Sequence, residues 1–220
     1  MYVFKTIVLL ACLTLTLAAV ADANQLENRH QIGLQLGVWN QVADVRTEIG
    51  IGGMTSSVGS SGFLGGLKYG YNFSEHLALN IDIGVMRAKV EAKFGFLRSS
   101  STAASVTHLL VKAKWYLPSV TGKSSMRPYL SAGVGPFVGS QAELLLGQTL
   151  VEKATTETVL GGQIGGGVDF ITGRHFMTGV SVSYNLMSDF DKPIGGSSNY
   201  SGPEFSFGVS YVFGQGRDPQ

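Results

Sequence analysis

The stretch Phe205-Ser206-Phe207-Gly208-Val209-Ser210-Tyr211-Val212-Phe213 decides the fold. Every second position, from Phe205 to Phe213, carries an aromatic or branched apolar side chain, and Ser or Gly stands between them up to Ser210. Successive side chains of a β-strand point to opposite faces, so this pattern predicts a strand with one apolar face and one small, polar face.

The same alternation recurs seven more times along the chain. The outward apolar positions of these other strands fall within Ile32–Val38, Phe63–Phe73, Leu77–Val85, Thr107–Leu117, Leu130–Val134, Leu160–Phe170 and Phe176–Leu186. Segments of about ten residues that alternate in this way, separated by turn residues, indicate a transmembrane β-barrel. The sequence therefore predicts an all-β fold, an eight-stranded antiparallel up-and-down transmembrane β-barrel. Ten strands are the alternative if loop hairpins extend the barrel, and a secreted lipocalin-like barrel would place the apolar face inside.

The composition agrees with a barrel and excludes other classes. Gly accounts for 30 of 220 residues and charged side chains for 14%, against roughly 7% Gly and about 25% charge in average soluble domains. A formal net charge of +1 gives no electrostatic footprint for nucleic acid. The single cysteine, Cys12, excludes an intramolecular disulfide framework and a CxxC redox pair.

Residues 1–23 are predicted to be a cleavable signal peptide. Lys5 supplies a positive start, an apolar run follows, and Ala21-Asp22-Ala23 forms a small-x-small cleavage site. We expect a mature barrel domain over residues 24–220, with its strands within 31–213 and a short tail at 214–220. A lipoprotein site at Cys12 is disfavoured because the apolar run before it is too short.

The predicted connections alternate in length. The turns at Ser74–His76 and Ile171–His175 are tight and Pro118–Arg127 is modestly longer, whereas the long loops span about Ala43–Ser61, Ala88–Ala104, Ser140–Thr158 and Ser188–Gly202. Membrane barrels have short periplasmic turns and long outer loops, so both chain termini are expected on the periplasmic side.

Pairing across the first short turn predicts a charged interior. If Phe73 pairs with Leu77, Lys68 stands opposite Asp82 on the inner face, because directly opposed side chains share a face. Buried charges must be paired, so an ion-pair network is expected to close the lumen. Its expected members are Lys68, Asp82, Lys112, Lys114 and Asp169, with Glu204 nearer the outer rim.

Pairing across the later short turn predicts a second register. If Phe170 pairs with Phe176, Tyr184 stands opposite Gly162, which is an aromatic side chain covering a strand glycine.

The sequence contains no evident catalytic motif. GxSxG, HExxH and a cluster of metal ligands are all absent from it, and His108 is predicted to lie inside the barrel. The run Gly161–Gly167 lacks the Lys-Ser/Thr and the helix of a phosphate-binding loop, so these glycines are expected to let the wall curve. We therefore expect no enzyme and no cofactor.

One long loop carries apolar residues that could form a contact surface. Leu144, Leu145, Leu146 and Leu150 flank Gly147-Gln148 in a predicted hairpin tip. Exposed apolar patches mark contact sites, and an exposed strand edge can accept a partner strand. The alternative is that these side chains pack against one another above the barrel.

The segments Arg127–Gly135 and Phe205–Phe213 resemble the small outer-membrane β-barrel family, which includes the OmpA membrane domain and the OmpX/Ail type. The resemblance covers Gln31–Phe213 and implies a place in the bacterial outer membrane, among outer-membrane lipid and lipopolysaccharide. It also implies periplasmic chaperones and the barrel-assembly machinery as partners during biogenesis, with Val209, Tyr211 and Phe213 as the assembly signal. This sequence departs from the family by continuing past Phe213 to Gln220.

For function, the sequence favours a structural or surface-presenting role with an unidentified surface ligand. A narrow pore for ions or small solutes is the second hypothesis, and a lipid-modifying enzyme is the third.

Overall fold

The computed structural model describes residues 26–41, 61–94, 99–118, 125–146, 151–172 and 174–214. Within these ranges the chain forms eight strands: β1 (His30–Asn40), β2 (Ser61–Asn72), β3 (Leu77–Phe94), β4 (Ser99–Tyr116), β5 (Met126–Leu146), β6 (Val151–Thr172), β7 (Phe176–Met187) and β8 (Gly202–Phe213). Each strand pairs antiparallel with the next, and β1 pairs with β8, which closes the barrel. The predicted eight-stranded up-and-down barrel is confirmed. The expected signal peptide lies outside the described residues.

Among the described residues, no helix is both long enough and apolar enough to cross a membrane.

The barrel carries its apolar side chains on the outside. Leu34 and Leu160 are 62% and 70% exposed, whereas Gln31, Lys112 and Asp169 point inward and are buried. This arrangement is the reverse of a lipocalin-like barrel and fits a wall that faces lipid. Five of the nine exposed aromatic residues in the described part of the chain lie towards the end with the short turns, as in an interfacial girdle; they are Phe73, Trp115, Phe176, Tyr211 and Phe213.

The predicted register of the first hairpin is confirmed. The Phe73 amide donates to the Leu77 carbonyl over 2.9 Å, and Lys68 pairs with Asp82 across β2 and β3. The tight turn after Phe73 fixes this register, and a slip of one residue would reverse both faces.

The predicted register of the second hairpin is wrong by two residues. Thr172 pairs with Phe176, so that Phe170 pairs with Thr178 and Tyr184 stands opposite Ile164. The strands continue closer to the turn than the apolar pattern indicated. A shift of two residues keeps every side chain on its expected face, so the alternation alone could not detect it.

Two predicted loops are largely strand. The segments expected as Ala88–Ala104 and Ser140–Thr158 belong to β3–β6, which have 18 to 22 residues against 11 or 12 in the other strands. These segments lack the apolar alternation of the other strands, so the sequence pattern did not indicate them as strand. The expected loop Ala43–Ser61 lies outside the described residues apart from Ser61, which begins β2.

The long strands form a four-stranded sheet above the barrel rim, which we call the extension sheet and define as residues 88–94, 99–104, 140–146 and 151–160. Pairing of β2 with β3 ends at Leu64 and Met86, and pairing of β6 with β7 begins at Gly161 and Met187. A register shift between Arg87 and Lys89 marks the place where β3 enters the extension sheet.

Candidate functional site

The barrel interior consists of a polar layer and an apolar layer. Charged and amide side chains fill the middle of the lumen, and an apolar cluster fills the end that carries the longer connections. The polar layer is built from inward-facing strand positions, and the apolar layer combines such positions with Phe190, Ile194 and Tyr200 of the connection between β7 and β8.

Two ion pairs hold the polar layer together. Lys112 contacts Asp82 and also donates to Gln163 Oε1 over 2.8 Å. Lys114 donates to Asp169 Oδ2 over 2.8 Å, and the Tyr116 hydroxyl donates to the same oxygen over 2.7 Å. The structure thus brings four of the five expected charged residues together in two pairs.

Among the described residues, Glu204 forms no ion pair with a lysine, and three side-chain amides bind it. The side-chain amides of Gln35, Gln163 and Asn185 donate to its carboxylate over 2.9, 3.0 and 2.9 Å. The sequence predicts Glu204 near the outer rim but does not identify these amide partners. The one signal in the sequence was that these residues stand at inward-facing positions of their strands.

Lys68 lies opposite Asp82 in the strand register, but the ion pair of Asp82 is with Lys112. The Lys68 side chain reaches past β1 towards β8, where its Nζ would lie 2.6 Å from a Cβ added to Gly208. It lines a cavity of about 30 Å³ in the polar layer, which has room for about two water molecules.

The turn end of the barrel is closed by rings and apolar side chains. Lys114 Nζ lies 3.7 Å from the centroid of the Tyr129 ring, and the Arg127 guanidinium carbon lies 3.8 Å from that of Tyr116. A small buried cluster adds to this closure; its members are Leu26, Ile171, Met177 and Val212.

The loop end of the lumen, which we call the mouth, is closed by the larger apolar cluster. Trp39 and Phe137 pack at a centroid distance of 6.0 Å, and the His108 ring lies 5.7 Å from Phe137. The buried residues of this cluster are Trp39, Leu64, Met86, Ala104, Val106, Leu110, Phe137, Met187, Phe190, Ile194 and Tyr200. Sequence reasoning missed this layer, although Leu64, Met86 and Leu110 stand at inward positions.

The connection between β7 and β8, residues 188–201, folds over this cluster as a strap. Two hydrogen bonds attach the strap to the barrel. The Gly195 amide donates to Gln141 Oε1 of β5 over 2.6 Å, and Gln41 Nε2 donates to the Asn199 carbonyl over 2.6 Å. Tyr200 is buried and donates to the Ile194 carbonyl, and this burial raises the pKa of its hydroxyl to about 12. The strap therefore closes the mouth with its own apolar side chains.

Three of the four described histidine rings contact aromatic rings, and the fourth, His76, lies 3.6 Å from the Glu75 carboxylate. His30 stacks on Phe213 at 5.5 Å, His175 stacks on Tyr211 at 5.8 Å, and His108 lies in the aromatic group of the mouth. The run Gly161–Gly167 lies within β6 and not at the start of a helix.

The residues expected at the surface contact and the assembly signal lie at opposite ends of the molecule. Leu144 pairs with Glu152 and Leu145 pairs with Val151 at the top of the extension sheet; Leu146 ends β5, and Leu150 lies outside the described residues. Val209, Tyr211 and Phe213 are exposed on the outer face of β8, and Phe213 is the last residue of that strand.

Comparison with known proteins gives one family and several solved barrels. A family model described as "Outer membrane protein beta-barrel domain" matches residues 7–213. The structure is similar to that of Ail, the attachment invasion locus protein of Yersinia pestis, with a TM-score of 0.53 and 16% identity over 85% of this chain and 99% of Ail. It is also similar to Neisserial surface protein A, with a TM-score of 0.51 and 18% identity over 84% of this chain and 97% of that protein. A comparison with curated proteins finds no match.

Proposed function

The chain belongs to the outer membrane protein beta-barrel domain family and lies in the bacterial outer membrane, where we propose that it is a non-enzymatic, sealed barrel that presents the extension sheet at the cell surface. Two features together carry this proposal. The lumen is filled at both ends, and four of the strands continue above the rim on one side only.

The filled lumen supports an anchoring role over a conducting one. An eight-stranded barrel is just wide enough for side chains to fill its interior. Here the apolar mouth, the paired charges and the cluster around Leu26 lie one above another along the barrel axis. An ion would have to displace the strap and break a buried ion pair, and breaking such a pair is costly.

The extension sheet supports a role in partner binding. Residues 151–160 of β6 pair with β5 on one side, and within the described residues the regular pairing of β6 with β7 starts only at Gly161. A strand edge with unpaired backbone groups can accept an extended segment from a partner. The leucines that the sequence predicts around the hairpin tip, Leu144, Leu145, Leu146 and Leu150, would add apolar contacts. Lipopolysaccharide and outer-membrane lipid would surround the apolar outer face of the barrel below the extension sheet.

Cysteine labelling tests the surface presentation directly. The only cysteine is Cys12, within the expected signal peptide, so one added cysteine reports on one position. Thr156→Cys, on the extension sheet, should react with a membrane-impermeant maleimide on intact cells. Ser74→Cys, in a short turn, is the matched control and should react only after lysis. Labelling of Ser74→Cys on intact cells would contradict the proposed orientation.

Bilayer recording tests the sealed lumen. The refolded mature chain should give a silent planar bilayer, while its heat-modifiable migration on gels shows that the barrel has folded. A variant whose strap is replaced by a short Gly-Ser turn should leak more than the intact chain. Discrete conductance steps from the intact chain that change in Lys68→Ala or Asp82→Ala would instead support the narrow pore.

A further inference from the structure

The unpaired edge of β6 above the rim has defined limits. β6 begins at Val151, and within the described residues its part in the extension sheet pairs regularly with β5 alone. The Ser188 amide donates to the Leu160 carbonyl over 3.2 Å, so bonding from the β7 side starts at Leu160. The segment that we call the free edge is therefore residues 151–159, and Thr155 is its midpoint.

The backbone groups that point out of this edge belong to every second residue. The Leu160 carbonyl points to the β7 side. Alternate residues of an antiparallel strand point their backbone groups the same way, so those of Ala154, Thr156 and Thr158 also face away from β5. Unpaired groups of this kind accept an added strand. Thr155 points its groups towards β5, so a strand added here would meet it at a non-hydrogen-bonded position.

The sequence of the free edge is complementary to itself in the antiparallel sense. If Thr155 stands opposite Thr155 of a second copy, Lys153 stands opposite Glu157 of that copy. Val151 then stands opposite Val159. Thr–Thr pairs and opposite charges at directly opposed positions stabilise a sheet. Because the contact has a twofold axis, the charged pair and the valine pair each occur twice.

We propose that the free edge of β6 binds the same edge of a second copy of this chain, antiparallel and centred on Thr155. This inference rests on the proposed presentation of the extension sheet at the cell surface, and it names the partner. In each copy β6 runs from the extension sheet down into the barrel. An antiparallel partner strand runs the opposite way, so its barrel lies on the far side of the contact. The two copies therefore belong to facing membranes, and the contact joins two cells.

The ion pair that Glu157 forms within its own chain is compatible with this contact. Lys192 Nζ lies 3.2 Å from Glu157 Oε1, and the Lys192 side chain is 72% exposed. A carboxylate has two oxygens with about four acceptor sites, so Glu157 can bind a second lysine at the edge. The neighbouring residues Thr156 and Thr158 are exposed.

Disulfide formation tests the position of the twofold axis. Cys12, within the expected signal peptide, is the only cysteine, so Thr155→Cys gives the mature chain a single thiol on the proposed axis. Residues in a non-hydrogen-bonded pair have Cα atoms about 4.5 Å apart, within the range of a disulfide. Thr156→Cys is the matched control, because Thr156 would stand opposite Ala154 and two positions away from its own copy.

The two thiol variants are reconstituted, each with two different tags, in separate populations of phosphatidylcholine vesicles that are mixed before mild oxidation. Thr155→Cys should give mixed-tag dimers, and Thr156→Cys should give at least about tenfold fewer, since Cα atoms more than about 7 Å apart do not form a disulfide. Equal yields would overturn the proposed register. Mixed-tag dimers that form only when both tags share one vesicle would overturn the facing arrangement.

Maleimide labelling of Thr156→Cys on intact cells separates this inference from the proposed function. A labelled extension sheet that gives no mixed-tag dimers with Thr155→Cys would overturn the inference and leave the surface presentation intact. An unlabelled sheet would overturn both.

Charge reversal gives a second test without cysteines. Between identical copies, Lys153→Glu sets like charges opposite each other twice, and Glu157→Lys does the same. Vesicles that carry either variant alone should aggregate about tenfold less than wild-type vesicles in light scattering. A mixture of the two kinds of vesicle restores opposite charges at both positions, so it should aggregate as wild type does. Lack of recovery in the mixture would contradict the proposal. Lys192→Met, which removes the ion pair within the chain, is the control and should aggregate normally.

Discussion

The polar middle and the apolar mouth of the lumen are built on the same wall but held together differently. In the middle, each charged group depends on one or two specific partners, as Asp169 does on Lys114 and Tyr116. In the mouth, side chains such as Leu110 and Phe137 make many interchangeable apolar contacts. A loss in the middle leaves an unpaired charge, whereas a loss in the mouth leaves a cavity.

This difference predicts which changes the barrel tolerates. Removing one member of a buried ion pair costs more than replacing the whole pair with apolar groups. In an apolar cluster, the cost follows the volume removed and the ability of neighbours to close the gap. Substitutions at matched positions in the two layers test these two rules.

The largest expected loss is that of Asp169→Ala. The substitution leaves Lys114 buried without its carboxylate and removes the acceptor of the Tyr116 hydroxyl. The free energy of unfolding should fall by about 4 kcal/mol. Urea unfolding of the barrel in lipid vesicles, followed by tryptophan fluorescence, measures this loss.

The double variant Asp169→Leu with Lys114→Met is the control for this prediction. It removes both charges and fills the space with apolar groups, so it should recover most of the loss. Equal losses in the single and the double variants would show that the polar layer is held by packing, as the mouth is.

In the apolar mouth, Leu110→Ala should lower the free energy of unfolding less than Asp169→Ala does. Leu110 is fully buried in the apolar cluster, and its truncation should lower the free energy of unfolding by about 3 kcal/mol. Leu109→Ala is the matched control in the same strand, since Leu109 faces outward and is 44% exposed. Lipid can fill the space at Leu109, so its loss should be clearly smaller. Equal losses at the two positions would mean that the mouth is loosely packed.

The sequence could predict the wall but not the division of the lumen. The alternation in β8 identifies each outward side chain because every position that faces lipid must itself be apolar. The register at Phe73 and Leu77 follows from a tight turn, and the register at Phe170 does not, since a two-residue slip keeps the faces.

The contents of the lumen depend on which strands face each other across it. Lys112 reaches Asp82 from the neighbouring strand, whereas Lys68 reaches past β1 to Gly208 of β8. The alternation of residues within a single strand predicts neither of these two contacts. The mouth is harder still to predict, because Phe190 and Ile194 come from a Gly- and Ser-rich connection that the pattern indicated only as a loop.

The fit of the strap to the wall is expected to be sensitive to one added methyl group. A Cβ at Gly139 would lie 2.8 Å from both Ile194 Cγ1 and Phe190 Cζ, so Gly139→Ala should push the strap out of the mouth. We expect a loss of about 1–2 kcal/mol and faster chymotrypsin cleavage after Phe190. Gly65→Ala is the matched control, because a Cβ there meets nothing within 4 Å. If both variants are cleaved at the wild-type rate, the strap does not depend on close packing.

The smallest effect concerns Tyr200 and is expected only at high pH. Burial raises the pKa of its hydroxyl to about 12 from about 10 in an unfolded chain. Its neutral form therefore stabilises the strap fully below pH 10, and this contribution is lost as the pH rises towards 12. The difference in ultraviolet absorbance between wild type and Tyr200→Phe should titrate with a midpoint near pH 12. A midpoint near that of free tyrosine would mean that the strap opens the mouth to water, and the apolar layer would then be a gate and not a seal.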